Sequence, residues 1–203
     1  MQRDWKLIEI PYHRTDEAAD VLARALADDP ILATFVPPDL PDRGRVLRLL
    51  YRSSCLSRLS GRQPLLGAEW DNMIVGVAIM DSPYKPQDTE SVKRSWDAVA
   101  AALDTENVRK MQEFVVLRES HRPPRQHHYL ATFAVDPRYQ DMGFGTALLK
   151  CVIEASRNDT SSTGVMLDCR AENVLFYERN GFSQIGKEDF AGVEVHYMYC
   201  GVR

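Results

Sequence analysis

Along this chain, stretches in which apolar and polar residues alternate with period two take turns with stretches in which apolar residues recur every three to four positions. Residues 5–12 alternate well enough for an opening strand, with Leu7, Ile8 and Ile10 apolar. Over 15–27, Ala18, Val21, Leu22, Ala25 and Leu26 fall at helical spacing behind a cap at Thr15 or Asp16, and Asp28-Asp29-Pro30 ends the helix. The run from Pro37 to Pro41 reads as a loop, and a second helix follows over 42–59. Residues 64–69 and 73–80 read as a hairpin turning at Asp71-Asn72. Residues 84–126 are too many for a plain connection between neighbouring strands. Within them Val92, Trp96, Val99 and Leu103 mark one helical face. Val108, Met111 and Val115 mark another, behind a cap at Asp104 or Thr105. The run from His121 to Arg125 (H-R-P-P-R) breaks that pattern before a strand over 129–135.

From Val135 to Leu149 the chain reads V-D-P-R-Y-Q-D-M-G-F-G-T-A-L-L, an apolar strand running through a glycine-bearing turn into an amphipathic helix. A helix N-terminus offers unpaired N–H groups and the positive end of a dipole, so this turn is a candidate anion site. Gly143 and Gly145 remove two Cβ atoms where a diphosphate would approach the backbone. The turn lacks G-K-[ST], which excludes a nucleoside-triphosphate P-loop, and it fails the dinucleotide pattern G-x-G-x-x-G. A helix over 146–157 and a strand over 165–169 come next. The segment from Leu167 to Phe182 (L-D-C-R-A-E-N-V-L-F-Y-E-R-N-G-F) then leads from strand into a short helix. Asn173 and Tyr177 stand one turn apart on it, so both side chains can point the same way. Gly181 falls where a left-handed residue would end that helix, and Phe182 opens another strand.

The pattern Gln140-x-x-Gly143-x-Gly145, followed in this order by the Y-x-x-x-G-F block, resembles the GNAT superfamily of N-acetyltransferases. The resemblance is strong from about His128 to Phe182 and topological elsewhere. It implies an α/β (α+β) fold. That fold has a single mixed central sheet of about seven strands flanked by helices, with 84–126 as a helical insertion between the third and fourth strands. One domain over 1–203 is expected. The resemblance further implies acetyl-CoA as co-substrate. Gln140 and the backbone of Asp141, Met142, Gly143, Phe144, Gly145 and Thr146 would hold its diphosphate. Phe133, Ala134 and Val135 would pair with the pantetheine as an added strand, and one of their N–H groups would polarise the thioester carbonyl. Asn173 and Phe176 would lie beside the pantetheine. Tyr177 would protonate the departing sulfur, since a phenol with pKa ~10 is still protonated at neutral pH. Family members commonly carry basic residues in the loop. Gln140-Asp141-Met142 stands there in this chain, which shifts the diphosphate onto backbone donors.

Alternatives stay open at several of these positions. Asn173 could instead cap its own helix, and Tyr177 could pack on the sheet as a plain aromatic residue. The insertion could pack on the sheet only, or cap the acceptor site. The general base is unassigned: some members place a glutamate eleven residues before the loop motif, where this chain has Tyr129. His128 beside it has a suitable intrinsic pKa, ~6.5, but a strand histidine beside a loop is more often a satisfied surface group. The longer pattern H-x-Y-L-x-x-x-x-V-D-P-x-x-Q-x-x-G-x-G resembles the puromycin-acetyltransferase-like members, which act on small-molecule amines. The expected reaction is transfer of an acetyl group to a primary amine by direct attack in a ternary complex. O-acetylation, a longer acyl group and a non-catalytic acyl-CoA-binding module are the alternatives.

Composition narrows the partners. A chain of 203 residues with 44% hydrophobic content can bury one full-sized core. Net charge is −4 and no Lys/Arg run exceeds two residues, so no nucleic-acid partner is expected. No apolar run approaches the ~18 residues of a membrane span, and Met1-Gln2-Arg3-Asp4-Trp5 is not an apolar leader, so a cytoplasmic protein without a membrane partner is expected. Cys55, Cys151, Cys169 and Cys200 form no C-x-x-C pair and read as buried free thiols. No metal site is expected, because the one histidine pair, His127-His128, would point to opposite faces of a strand. Cys169 as an acetylated nucleophile would need an adjacent base, and the sequence offers none. A monomer or homodimer is expected.

Overall fold

A computed structural model describes residues 5–84 and 88–203. Residues 85–87 of the expected insertion and the first four residues of the N-terminal stretch lie outside these. Seven strands form one mixed sheet: β1 (Trp5–Glu9), β2 (Leu65–Trp70), β3 (Met73–Asp81), β4 (His128–Val135), β5 (Gly164–Arg170), β6 (Ser183–Phe190) and β7 (Val193–Gly201). Their order across the sheet is β1-β2-β3-β4-β5-β7-β6, and only β4 and β5 run parallel. Helices α1 (Thr15–Ala25), α2 (Pro30–Ala33) and α3 (Arg43–Ser60) precede β2. The insertion supplies α4 (Glu90–Ala101) and α5 (Thr105–Ser120) between β3 and β4, while α6 (Phe144–Asn158) and α7 (Ala171–Arg179) flank β5 in sequence.

Strand alternation divides the core into two layers. Val77, Ile79, Tyr129, Met166 and Tyr197 face the layer built from α1 to α5. Ala78, Met80, Leu130, Leu167 and Met198 face the layer of α6 and α7. The insertion helices therefore share a face with α1 and α3. They are fixed there by Phe114 against Phe35 and Phe190, and by His121 stacked on Tyr197 at 3.9 Å between centroids. Arg122 adds a guanidinium 4.6 Å above the Tyr129 ring and an ion pair to Asp81 at 3.6 Å.

The hairpin turns where the sequence places it, with Asp71 and Asn72 at φ 48° and 62°. Asp104 caps α5, accepting from the Asn107 N–H at 2.7 Å. The opening strand is shorter than expected. It stops at Glu9, because Pro11 leads into a 3₁₀ turn over Tyr12–Arg14. That turn makes Thr15 the first helical residue, and its hydroxyl donates to the Tyr12 carbonyl at 2.6 Å instead of capping α1. The short α2, with Asp29 as its cap and Pro30 at its first position, has no counterpart in the sequence reading.

Two local features create the site. Pairing between β4 and β5 covers only His128, Tyr129 and Leu130 with Val165, Met166 and Leu167; beyond Leu130 the strands part. On the other edge of β4, the register with β3 slips at Ala131, the bulge that bends the strand where the parting begins. A buried Asp136 then pins the end of β4. Its carboxylate accepts from the guanidinium of Arg24 at 2.8 Å and from that of Arg138 at 2.9 Å, which holds it well below the usual carboxylate range. Asp136→Asn is expected to cost about 1–3 kcal/mol, less than an ordinary buried ion pair, because both arginines can turn to water. An unchanged denaturant midpoint in that variant would show that the cluster does not anchor the strand.

Candidate active site

The gap between β4 and β5 opens a cavity of about 400 Å³ that reaches both faces of the sheet. Ala131, Thr132 and Phe133 of β4 and Asp168, Cys169 and Arg170 of β5 form its two edges. On the α6–α7 side it is bounded by Asn173 and Tyr177. On the opposite side lie α2, α3 and the insertion, which contributes Trp96, Met111, Phe114, Val115 and Arg118. Trp96, Met111 and Val115 thus line the cavity, whereas Val92, Val99 and Leu103 of the same periodic faces are core. The insertion is a wall of the cavity as well as a packing element.

At the far end of β4, Gly143 takes φ 87° and precedes the first residue of α6. Among the described residues, no backbone N–H from Asp141 to Thr146 donates to a protein acceptor; the ladder starts with Ala147 donating to Gly143. A Cβ on Gly145 would stand 3.7 Å from Val135 and 3.8 Å from Phe176, beside the β4 edge. This is a cradle of backbone donors at a helix N-terminus, suited to an anion. Gln140 does not reach into it: its side-chain amide donates to the Val135 carbonyl at 3.1 Å. Phe144 lends the cradle only its backbone, since its ring is buried against Trp5 and Trp70. Arg138, the one cation between Pro137 and Thr146, is held by Asp136.

Tyr177 is buried among Phe133, Phe176 and Phe182, with ring centroids 5.2–6.4 Å away. Burial pushes its phenol far above the ordinary range, so it is protonated at any working pH. The helix that carries it ends as Gly181 takes φ 90°, and Phe182 N–H donates to the Tyr177 carbonyl at 3.1 Å. Asn173 does not cap α7: Arg170 is the cap residue, without a side-chain bond. Burial pushes the neighbouring Cys169 thiol up to about 12, the reverse of what a nucleophilic thiolate needs.

His128 stands apart from the cavity. It is buried at the start of β4, with Nδ1 3.0 Å from the Ser162 hydroxyl and Nε2 3.5 Å from Asp159. Tyr129 leads to a different residue, since its hydroxyl donates to the Asp168 carboxylate in the cavity wall. Asp168 shares a face with Met166 and Tyr129, toward the insertion, while Tyr177 belongs to the other layer.

The Acetyltransferase (GNAT) family model matches residues 32–182, more than half of the chain. The chain belongs to the GNAT family of acetyltransferases. No curated protein matches it. Among solved structures it is similar to an acetyltransferase of Corynebacterium glutamicum described as histone acetyltransferase HPA2 and related acetyltransferase. The TM-score is 0.68 at 21% identity, over 96% of this chain and 94% of that one. An N-acetyltransferase from Staphylococcus aureus gives 0.60 at 16% identity, over 96% and 99%. A putative arylalkylamine N-acetyltransferase 7 from the yellow fever mosquito gives 0.62 at 17%, over 98% and 88%.

GNAT family proteins use acetyl-CoA as co-substrate. The match is to the GNAT family as a whole, and the likeness to puromycin acetyltransferases rests on this chain's own motifs. No described helix is long and apolar enough to cross a membrane. The cavity residue that sequence reasoning missed is Asp168. No spacing along the chain marks it, since its place beside Tyr129 depends on how β4 pairs with β5.

Proposed function

We propose that this GNAT protein transfers the acetyl group of acetyl-CoA to a primary amine of a small molecule, by direct attack within a ternary complex. The observation that carries the reading is the cavity through the parted strands, with Tyr177 on one face and an insertion-roofed chamber on the other. The N–H groups from Asp141 to Thr146 would hold the diphosphate, and the free edge of β4 from Phe133 to Val135 would take the pantetheine as an added strand. A backbone N–H of that edge would stabilise the tetrahedral oxyanion, Asn173 and Phe176 would flank the pantetheine, and Tyr177 would protonate the sulfur. Direct attack is favoured over an acetyl-enzyme because Cys169 is held as a thiol.

The test is thiol release from acetyl-CoA with and without a panel of primary amines, after calorimetry has established acetyl-CoA binding. Amine-dependent release supports the reading. Binding without release for any amine contradicts it and favours a binding module. A companion variant checks the role of the insertion. Trp96→Ala is expected to raise the acceptor KM about tenfold, with the acetyl-CoA KM unchanged. An equal rise in both constants would return the insertion to a packing role.

A further inference from the structure

Resting on that acetyl-transfer reading, we propose that Asp168 seats the acceptor's ammonium group and takes its proton, and that the acceptor is a primary amine on a hydrophobic, aromatic-sized group with no carboxylate beside the nitrogen.

Four charged residues line the cavity: Asp29, Arg118, Asp168 and Arg170. Asp29 is already engaged, capping α2 through Oδ1 and facing the Arg170 guanidinium at 3.3 Å through Oδ2. Arg170 also holds Glu172 at 2.7 Å. Arg118 lies over the rings of Phe114 and Tyr129, at 5.0 and 5.5 Å. Asp168 is the cavity carboxylate with no ion-pair partner among the described residues; the Tyr129 hydroxyl donates to its Oδ1. The wall around it is apolar, with Phe35, Trp96, Met111 and Phe114. A volume of about 400 Å³ with such walls, a carboxylate without an ion pair and an Arg118 guanidinium laid over the Phe114 and Tyr129 rings suits a cation on an apolar body. An α-carboxylate on the acceptor would put a second anion next to Asp168 in a poorly solvated site.

The faces of the sheet give the direction of attack. The amine enters from the insertion side, where Asp168 lies, and Tyr177 stands on the other side of the gap. Of the two protons the ammonium loses, the first goes to Asp168 and from there to solvent. The nitrogen lone pair then adds to the thioester carbonyl, and collapse of the tetrahedral oxyanion breaks the C–S bond. Tyr177 gives its proton to the sulfur and recovers the second proton from the nitrogen, leaving an amide, a free thiol and one released proton.

The surroundings of Asp168 suit a base. Burial raises its carboxyl to about 6, opposed by Arg118 and Arg122 from the α5 side and helped by Asp29. Tyr51 and Tyr197 face the same region as neutral phenols, Tyr177 stands across the gap and is likewise neutral, and Cys169 is a neutral thiol. The carboxylate is therefore ionised at neutral pH and better matched to an ammonium than an exposed aspartate would be.

Phenethylamine, phenylalanine and ethanolamine test the acceptor class with the intact protein. The expected kcat/KM for phenethylamine exceeds those of the other two by about tenfold or more. Equal or higher values for ethanolamine or phenylalanine would overturn the acceptor class. Failure of every amine, with acetyl-CoA bound, would overturn the acetyl-transfer reading itself and this inference with it. Asp168→Asn is expected to lower kcat/KM for phenethylamine by about 10²–10⁴, to leave the calorimetric acetyl-CoA affinity unchanged, and to abolish the rise of kcat/KM through pH about 6. A retained limb with a rate within a few-fold of wild type would overturn the role of Asp168. Should the asparagine variant misfold, Tyr129→Phe gives a second reading. It keeps the ring beneath Arg122 and removes the hydroxyl that favours the carboxylate, so the limb moves to higher pH. A limb that does not move would overturn the proposal.

Discussion

Replacing Tyr177 by phenylalanine is expected to lower kcat by about 10²–10⁴ while acetyl-CoA affinity stays close to wild type. The variant keeps the ring and its packing on Phe133, Phe176 and Phe182, and removes only the hydroxyl. No hydrogen bond from that hydroxyl to another described residue ties it into the fold, so little stability is lost with it. Because burial raises the phenol so far, Tyr177 adds no falling limb to the pH profile near neutrality. The rate should be measured in a single turnover, since product release can mask the chemical step. A near-wild-type single-turnover rate would return Tyr177 to a packing role.

Gly145→Asp is expected to weaken CoA binding by about 10²-fold or more while the protein stays folded. A Cβ fits at Gly145 at ordinary contact distances from Val135, Phe176 and Phe133. A carboxylate in the first turn also favours α6 itself, so the helix survives. The same carboxylate enters the cradle of unpaired N–H groups and repels a diphosphate. Gly143→Asp would be a poorer test, because φ 87° strains any side chain whatever its charge. Calorimetry showing wild-type CoA affinity in folded Gly145→Asp would remove the loop from the cofactor site.

Much of the frame was legible because period-two and period-3.6 patterns report directly on faces. The turn at Asp71-Asn72, a cap at Asp104 or Thr105 and the stop at Gly181 follow from such local chemistry, whereas the seven-stranded mixed sheet was what the GNAT resemblance implied. α2 was not legible, since four residues are too few to show a helical period. Nor was the end of β1, where Pro11 and a 3₁₀ turn override the alternation. The glycine loop and the Tyr177 helix were legible as motifs, but Phe144 shows what a motif hides: its backbone faces the cradle while its ring belongs to the core. Asp168 could not be read at all. Its position depends on which strand lies beside β4, on where the pairing stops after Leu130, and on the hydroxyl that Tyr129 brings across. Those are tertiary facts, and no spacing along the chain encodes them.

Incubation of the protein with acetyl-CoA labelled in its acetyl group, together with phenethylamine, tests the central claim most directly when both protein and small molecules are read by mass spectrometry. Direct transfer predicts that the label leaves the thioester only when amine is present, arrives on the amine nitrogen, and is at no time found on the protein. Label on Cys169, or acetyl-CoA that binds and stays intact with every amine supplied, would contradict it.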